Sequence, residues 1–165
     1  YFFSSHLLVW GFATWKRMWM TYDPSMPEWN ATDKDSFLDR YYFSKREKGS
    51  YRAAFDLHSE NTDPWTYDYQ WVFNCLHRNT LSITPCRNLC LNIGFNREDA
   101  THNKGENPFA NPIENLAFPL SHPKNQTRDT AFDRKLSTLM TPSTSALITG
   151  KILGRIRRLF RRENT

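Results

Sequence analysis

The chain lacks any uninterrupted apolar run of about 18 residues, the length a membrane-spanning helix needs, so its 165 residues offer no such span. It holds only three cysteines, Cys75, Cys86 and Cys90. An odd number without a Cys-x-x-Cys pair excludes a disulfide-rich scaffold and points to a reducing compartment. Cys86 and Cys90 are an even number of residues apart in a strand-like run, which predicts that they face one side. Without histidines nearby they make a poor zinc site, and buried free thiols are the expectation. Internal repeats are absent. The apolar opening "YFFSSHLLVWGF" has no basic n-region and no small-residue cleavage site, so it does not read as a signal peptide. It reads as a strand entering from upstream, and the chain is expected to be a C-terminal piece of something longer.

The charge is also less than it first looks. The net charge is +5, and Lys151, Arg155, Arg157, Arg158, Arg161 and Arg162 against Glu163 account for all of it. Residues 1–150 are balanced, so the high pI describes a tail, and a nucleic-acid-binding body is excluded. The matches to the glycosylation sequon at Asn30 and Asn125 are what chance supplies in a chain this rich in Asn and Thr.

Aromatic surface is what the chain has in quantity. With 39% hydrophobic and 15% aromatic residues it can bury one substantial core but not two. Tyr1–Ser4 and Leu7–Val9 read as strand, with a turn at Gly11. From Ala13 the spacing becomes helical: Trp15, Met18, Trp19 and Tyr22 share a face, and Asp23-Pro24 stops the segment. Asp33 to Lys48 predicts a surface helix burying Phe37, Leu38, Tyr41 and Tyr42, with a second helix after Gly49-Ser50 through Phe55 and Leu57. Trp65, Tyr69, Val72, Phe73 and Leu76 keep the 3.6-residue period up to Asn79. Leu81–Phe95 predicts two strands bent at Pro85. Asn96–Asn125 reads as a long functional or wrapping loop. Thr141-Pro142 opens a predicted amphipathic helix with Ile148, Ile152, Ile156, Leu159 and Phe160 on one stripe and arginines around it.

Three stretches combine aromatic, polar and ionisable residues beside turns. In "WGFATW", Trp10 to Trp15, a glycine between indoles lets a backbone approach a ligand, and indole faces stack on the apolar C–H faces of sugars. Packing of a strand onto the next helix explains the same pattern, and Trp15 and Trp19 at helical spacing read as core. In "WTYDYQW", Trp65 to Trp71, Asp68 falls in the first turn of its helix, where the macrodipole favours a carboxylate. A carboxylate fenced by aromatic rings is also partly desolvated, which suits a general base. In "NIGFNREDATHNKGE", His102 lies just past a strand end near Glu98 and Asp99, where an imidazole can bind a metal or a phosphate oxygen, or be merely solvated.

In this order the blocks "YFFSS...VWGFATWKRMW...YD", "WTYDYQW" and "NLCLNIGFNREDATHN...ENPFAN", followed by "FPLSHP", resemble the second half of a family of bacterial GT-A-fold glycosyltransferases. The family is known as nucleotide-diphospho-sugar transferases or hemolysin-activation-like proteins. The similarity runs from Tyr1 to about Arg134, is broken over Asn30–Asn61, and leaves 135–165 as a basic amphipathic tail. It implies an α/β fold in which helices pack on a small mixed sheet, the acceptor side of the GT-A domain. It further implies transfer of a sugar, with inversion, from a nucleotide-diphospho-sugar to a cell-surface polysaccharide or glycolipid. By position, Trp10, Gly11, Trp15, Trp65 and Gln70 would contact the acceptor, Asp68 would be the base, and His102 would hold metal or diphosphate. A divalent cation, Mn or Mg, is expected from the family, through a D-x-D motif that would precede Tyr1. Asp33-Lys34-Asp35 follows no buried strand and reads as a helix start. The resemblance also implies a cytoplasmic protein, peripheral on the inner face of the membrane if residues 141–165 lie on anionic lipid. A non-catalytic glycan-binding module, or a decayed transferase, is the alternative.

Overall fold

Four helices meet around a cluster of aromatic side chains, and their sequence patterns explain why. A computed structural model of the chain describes residues 1–60, 66–93, 95 and 112–141. Helices α2 (Pro27–Ala31), α3 (Lys34–Tyr41), α4 (Lys45–Glu60) and α5 (Asp68–His77) bury Met26, Trp29, Leu38, Tyr41, Tyr42, Phe55, Val72, Phe73 and Leu76 as one core. Trp29 is its centre. Its ring lies edge-on to Phe37, Phe55 and Phe73 at 5.8, 5.1 and 5.5 Å, and its Nε1–H donates to Asp56 Oδ1 at 2.9 Å. Each large apolar side chain buried in this way stabilises the fold by roughly 1.5–3 kcal/mol relative to exposure.

Helix boundaries follow caps more closely than glycines. Asp33 caps α3, accepting from the Ser36 N–H at 3.3 Å and the Ser36 hydroxyl at 2.7 Å, so Asp33-Lys34-Asp35 is the expected helix start. The predicted continuous helix to Lys48 is instead interrupted after Tyr41. Ser44 Oγ accepts from the Glu47 N–H at 3.1 Å, while Glu47 Oε2 reaches back to the Phe43 N–H at 2.9 Å. That reciprocal cap starts α4. Gly49, expected to separate two helices, lies inside α4 at a cost of about 1 kcal/mol relative to alanine. Phe55 is buried as expected, whereas Leu57 faces solvent.

Strand content is smaller than predicted. β1 (Phe2–Ser4) pairs antiparallel with β2 (Ser82–Thr84), Phe3 opposite Ile83. The other edge of β1 is met by a single parallel bridge from Phe3 to Arg128, with Asp129 N–H donating to Phe3 O at 2.7 Å. Leu7–Val9 and Cys86–Ile93 form no strand; β2 stops at Thr84, before Pro85, which donates no ladder hydrogen bond. The described residues are therefore mixed α and β with a two-stranded antiparallel sheet, and their helices pack mainly on one another. Helix α6 (Thr130–Met140) packs on β1 and crosses residue 134, where body and tail were expected to part. No described helix is long and apolar enough to cross a membrane. The expected tail helix after Thr141 and most of the expected loop from Asn96 lie outside the described residues; the described part of that loop, 112–125, contains no helix or strand.

Candidate functional site

The turn after β1 and the chain after β2 enclose a cavity of about 940 Å³ whose lining includes Trp10, Gly11, Trp15, Arg17, Cys86 and Cys90. Gly11 has φ +70°, a backbone conformation in which a side chain is strained. A Cβ there would also run into Cys90 Sγ, whose thiol lies 3.7 Å from Gly11 O. The glycine is thus required twice, by its dihedral and by its neighbour. Trp10 and Trp15 are each 56% exposed, so neither is spent on the core. Arg17 places its guanidinium 5.2 Å from the centre of the Trp15 ring.

Trp19, expected in the core, is instead half-exposed, as is Trp15. Helix α1 (Lys16–Trp19) is a single turn that buries none of its residues. Trp19 is held by one face only, against Tyr22 and Trp71, both at 5.3 Å. Trp71 is buried and also lines the cavity. Phe12 lies 6.1 Å from Tyr67 and 6.0 Å from Trp71, which connects the Trp10–Trp15 turn to the start of α5.

Asp68 opens α5, as its position in the sequence predicts. Burial among these rings raises its carboxyl above the usual carboxylate value, with the nearby His58 opposing. Burial, then Asp23 and Asp68, likewise raise the Tyr22 phenol. Asp68 itself does not line the cavity; Trp71, one turn along, does. Gln70 corrects the expectation of an acceptor contact. It is fully buried, its Nε2 is 3.3 Å from His58 Nδ1, and it is absent from the cavity lining. Adjacent helical residues point about 100° apart, so Gln70 and Trp71 cannot share one face. Trp65 and His102 lie outside the described residues. The cysteine expectation holds for Cys75, which is buried, and fails for Cys86 and Cys90, which are exposed. With no strand under them, the latter pair is not buried in a sheet and instead lines the open cavity beside Gly11.

The most concentrated ionisable group was missed in the sequence. His6, Glu47 and Asp133 are all buried, from the end of β1, from α4 and from α6. His6 Nε2 lies 3.1 Å from Glu47 Oε1, and Nδ1 lies 3.4 Å from Asp133 Oδ1. Asp133 also accepts from Ser4 Oγ at 2.5 Å, the Ser5 N–H at 3.1 Å, Ser5 Oγ at 2.8 Å and Arg128 Nε at 2.5 Å. Glu47 takes Ser137 Oγ at 2.5 Å. Burial opposes the charge on each member, but the contacts outweigh it. Asp133 and Glu47 are held below the usual carboxylate range, and His6 is held above the ordinary imidazole value. Two carboxylates facing the His6 imidazole and the Arg128 guanidinium make the group a clamp joining β1, α4 and α6. The signals were available: "SSH" directly after a strand, the Ser44-to-Glu47 capping spacing, and Asp133 following Phe132 on a helix.

Among the described residues, no group of three or more His, Cys, Asp or Glu side chains is placed to hold a metal ion. No protein-family model, no curated protein and no solved structure matches this chain.

Proposed function

We propose that this chain forms the acceptor-binding side of a GT-A-type sugar transferase, with a saccharide held in the cavity between Trp10 and Trp15. The observation that carries the reading is the pair of half-exposed indoles flanking Gly11 on that cavity. Single exposed indoles are common, but two on one cavity wall form the kind of apolar patch that marks a ligand-binding groove. A sugar ring presents C–H groups to an indole and hydroxyls to the exposed backbone around Gly11.

In the transfer, the acceptor hydroxyl oxygen would bond to the anomeric carbon of a nucleotide-diphospho-sugar as the nucleoside diphosphate leaves from the opposite face, with inversion. The hydroxyl proton goes to a base. Asp68 suits that role because its raised carboxyl is a stronger base than a solvated one. The described residues do not fit the divalent cation, Mn or Mg, that the family resemblance implies, and no step is assigned to it.

The test is transfer of labelled sugar from nucleotide-diphospho-sugars to neutral oligosaccharide or glycolipid acceptors by the full-length enzyme, since this fragment alone is expected to be inactive, comparing the parent with Asp68→Asn. Loss of transfer by about 10²–10⁴-fold with acceptor binding retained is the expected result, and unchanged turnover would dismiss Asp68. A non-catalytic glycan-binding module is a second reading, favoured by the position of Asp68 outside the cavity lining. Saccharide binding without transfer to any acceptor would select it.

A further inference from the structure

The residues around α1 are exposed on a scale that the cavity does not explain. Trp15 is 56% exposed, Trp19 43% and Met20 73%, and Trp19 and Met20 do not line the cavity. Between these apolar groups stand Lys16 and Arg17, both exposed. Among the described residues neither is in an ion pair with a carboxylate. No Asp or Glu lies between Trp15 and Met20; Asp23, three residues further on, is exposed and keeps its charge while accepting from the Ser25 N–H at 2.8 Å and hydroxyl at 2.6 Å. The turn therefore presents indoles, a thioether and two unneutralised cations, with no negative charge among them.

We propose that this turn docks on an anionic lipid bilayer, with Trp15 and Trp19 at headgroup depth, Met20 reaching toward the acyl chains and Lys16 and Arg17 on lipid phosphates. Charge complementarity selects this occupant. Tryptophan, methionine and arginine also suit a protein partner; the two adjacent cations beside tryptophans favour a bilayer, where they meet phosphates and the indoles meet the interfacial zone. Trp15 and Arg17 belong to the turn and to the cavity lining at once. Docking there brings the cavity to the lipid headgroups, so the acceptor is a saccharide carried on a membrane lipid; only that clause rests on the reading in the preceding subsection.

Co-sedimentation of the whole chain with phosphatidylcholine vesicles, with and without phosphatidylglycerol and in the absence of saccharide, tests the docking. The parent should pellet with the anionic vesicles. Lys16→Glu/Met20→Ser should bind them at least about tenfold more weakly, with an unchanged thermal melt, since neither side chain is buried. Lipids brominated in the acyl chain should quench the parent's tryptophan fluorescence more than that of Trp15→Phe. Equal pelleting of parent and double variant would assign binding to another segment, such as the basic end, and overturn the proposal. So would failure of the parent to pellet, or self-association of the parent that the double variant abolishes. Saccharide binding in free solution is measured separately: its failure with docking intact removes the lipid-linked acceptor and leaves the bilayer contact standing.

Discussion

Removing Asp133 should be the most damaging single change to the fold outside its aromatic core. The carboxylate is fully buried and receives the Ser4 and Ser5 hydroxyls, the Ser5 N–H and Arg128 Nε, with His6 3.4 Å away. Asp133→Ala strands these donors and leaves His6 facing Glu47 alone. Breaking a buried charged pair by deleting one partner costs about 3–5 kcal/mol. Arg128 moderates the loss, because its other nitrogens keep the Arg40 and Tyr41 carbonyls at 2.8 Å. A cost near 3 kcal/mol is therefore expected, a large share of the roughly 5–15 kcal/mol that stabilises a domain. Urea unfolding followed by circular dichroism measures it as a fall in midpoint, at about 1–3 kcal/mol per molar urea. Asp39→Ala, which removes the exposed partner of Lys48, is the control and should leave the midpoint nearly unchanged. A loss below about 1 kcal/mol for Asp133→Ala would mean that the clamp is no tighter than a surface pair, and the account of how β1, α4 and α6 are joined would fail.

The same clamp sets a pH dependence with a definite sign. His6 is raised above its unfolded value of 6.5, so its contribution is complete below that pH and is lost as pH rises through the folded value. Asp133 is lowered from 3.8, so its contribution is present above that pH and is lost as pH falls through the folded value. The urea midpoint should thus fall on both sides, and His6→Gln should flatten the alkaline limb; an alkaline limb identical in the variant would contradict the assignment. Gly11→Ala should destabilise by about 1 kcal/mol or more, and adding Cys90→Ala should recover only the part due to the thiol contact, since φ +70° stays strained. A full recovery in the same denaturation assay would show that the dihedral does not matter. Iodoacetamide should modify Cys86 and Cys90 in the native protein well before Cys75, whose thiol is buried and pushed up to about 11; mass spectrometry finding Cys75 labelled first would refute the burial of α5.

Where the amphipathic period ran long, the fold could be read directly. Val72, Phe73 and Leu76 on α5 and Leu38 and Tyr41 on α3 are buried as their spacing indicates, whereas Tyr69, expected on the same stripe of α5, is exposed. Short elements were the ones misread, because local pattern cannot say whether a partner exists. Leu7–Val9 and Leu89–Ile93 have strand-like composition but no strand to pair with, and α1 has helical spacing but only one turn. Gly49 reads as the break between two helices, but the Ser44–Glu47 cap, which that reading leaves out, decides the boundary. Of the candidate site, Trp10, Gly11 and Trp15 come together on one cavity, as their clustering suggested. Gln70 is assigned a contact by the family resemblance alone, and its position on α5 turns it into the protein. The His6–Glu47–Asp133 group joins residues far apart in sequence, so no window along the chain contains it.

The claim on which the functional account depends is that the Trp10–Trp15 cavity holds a sugar. Titration calorimetry of the whole chain with a panel of neutral oligosaccharides, repeated with Trp10→Ala, measures it. The account predicts saturable one-site binding of at least one member, weakened about tenfold or more by the substitution, a loss of about 1.4 kcal/mol or greater. Absence of binding across the panel, or equal affinity in parent and variant, would contradict it.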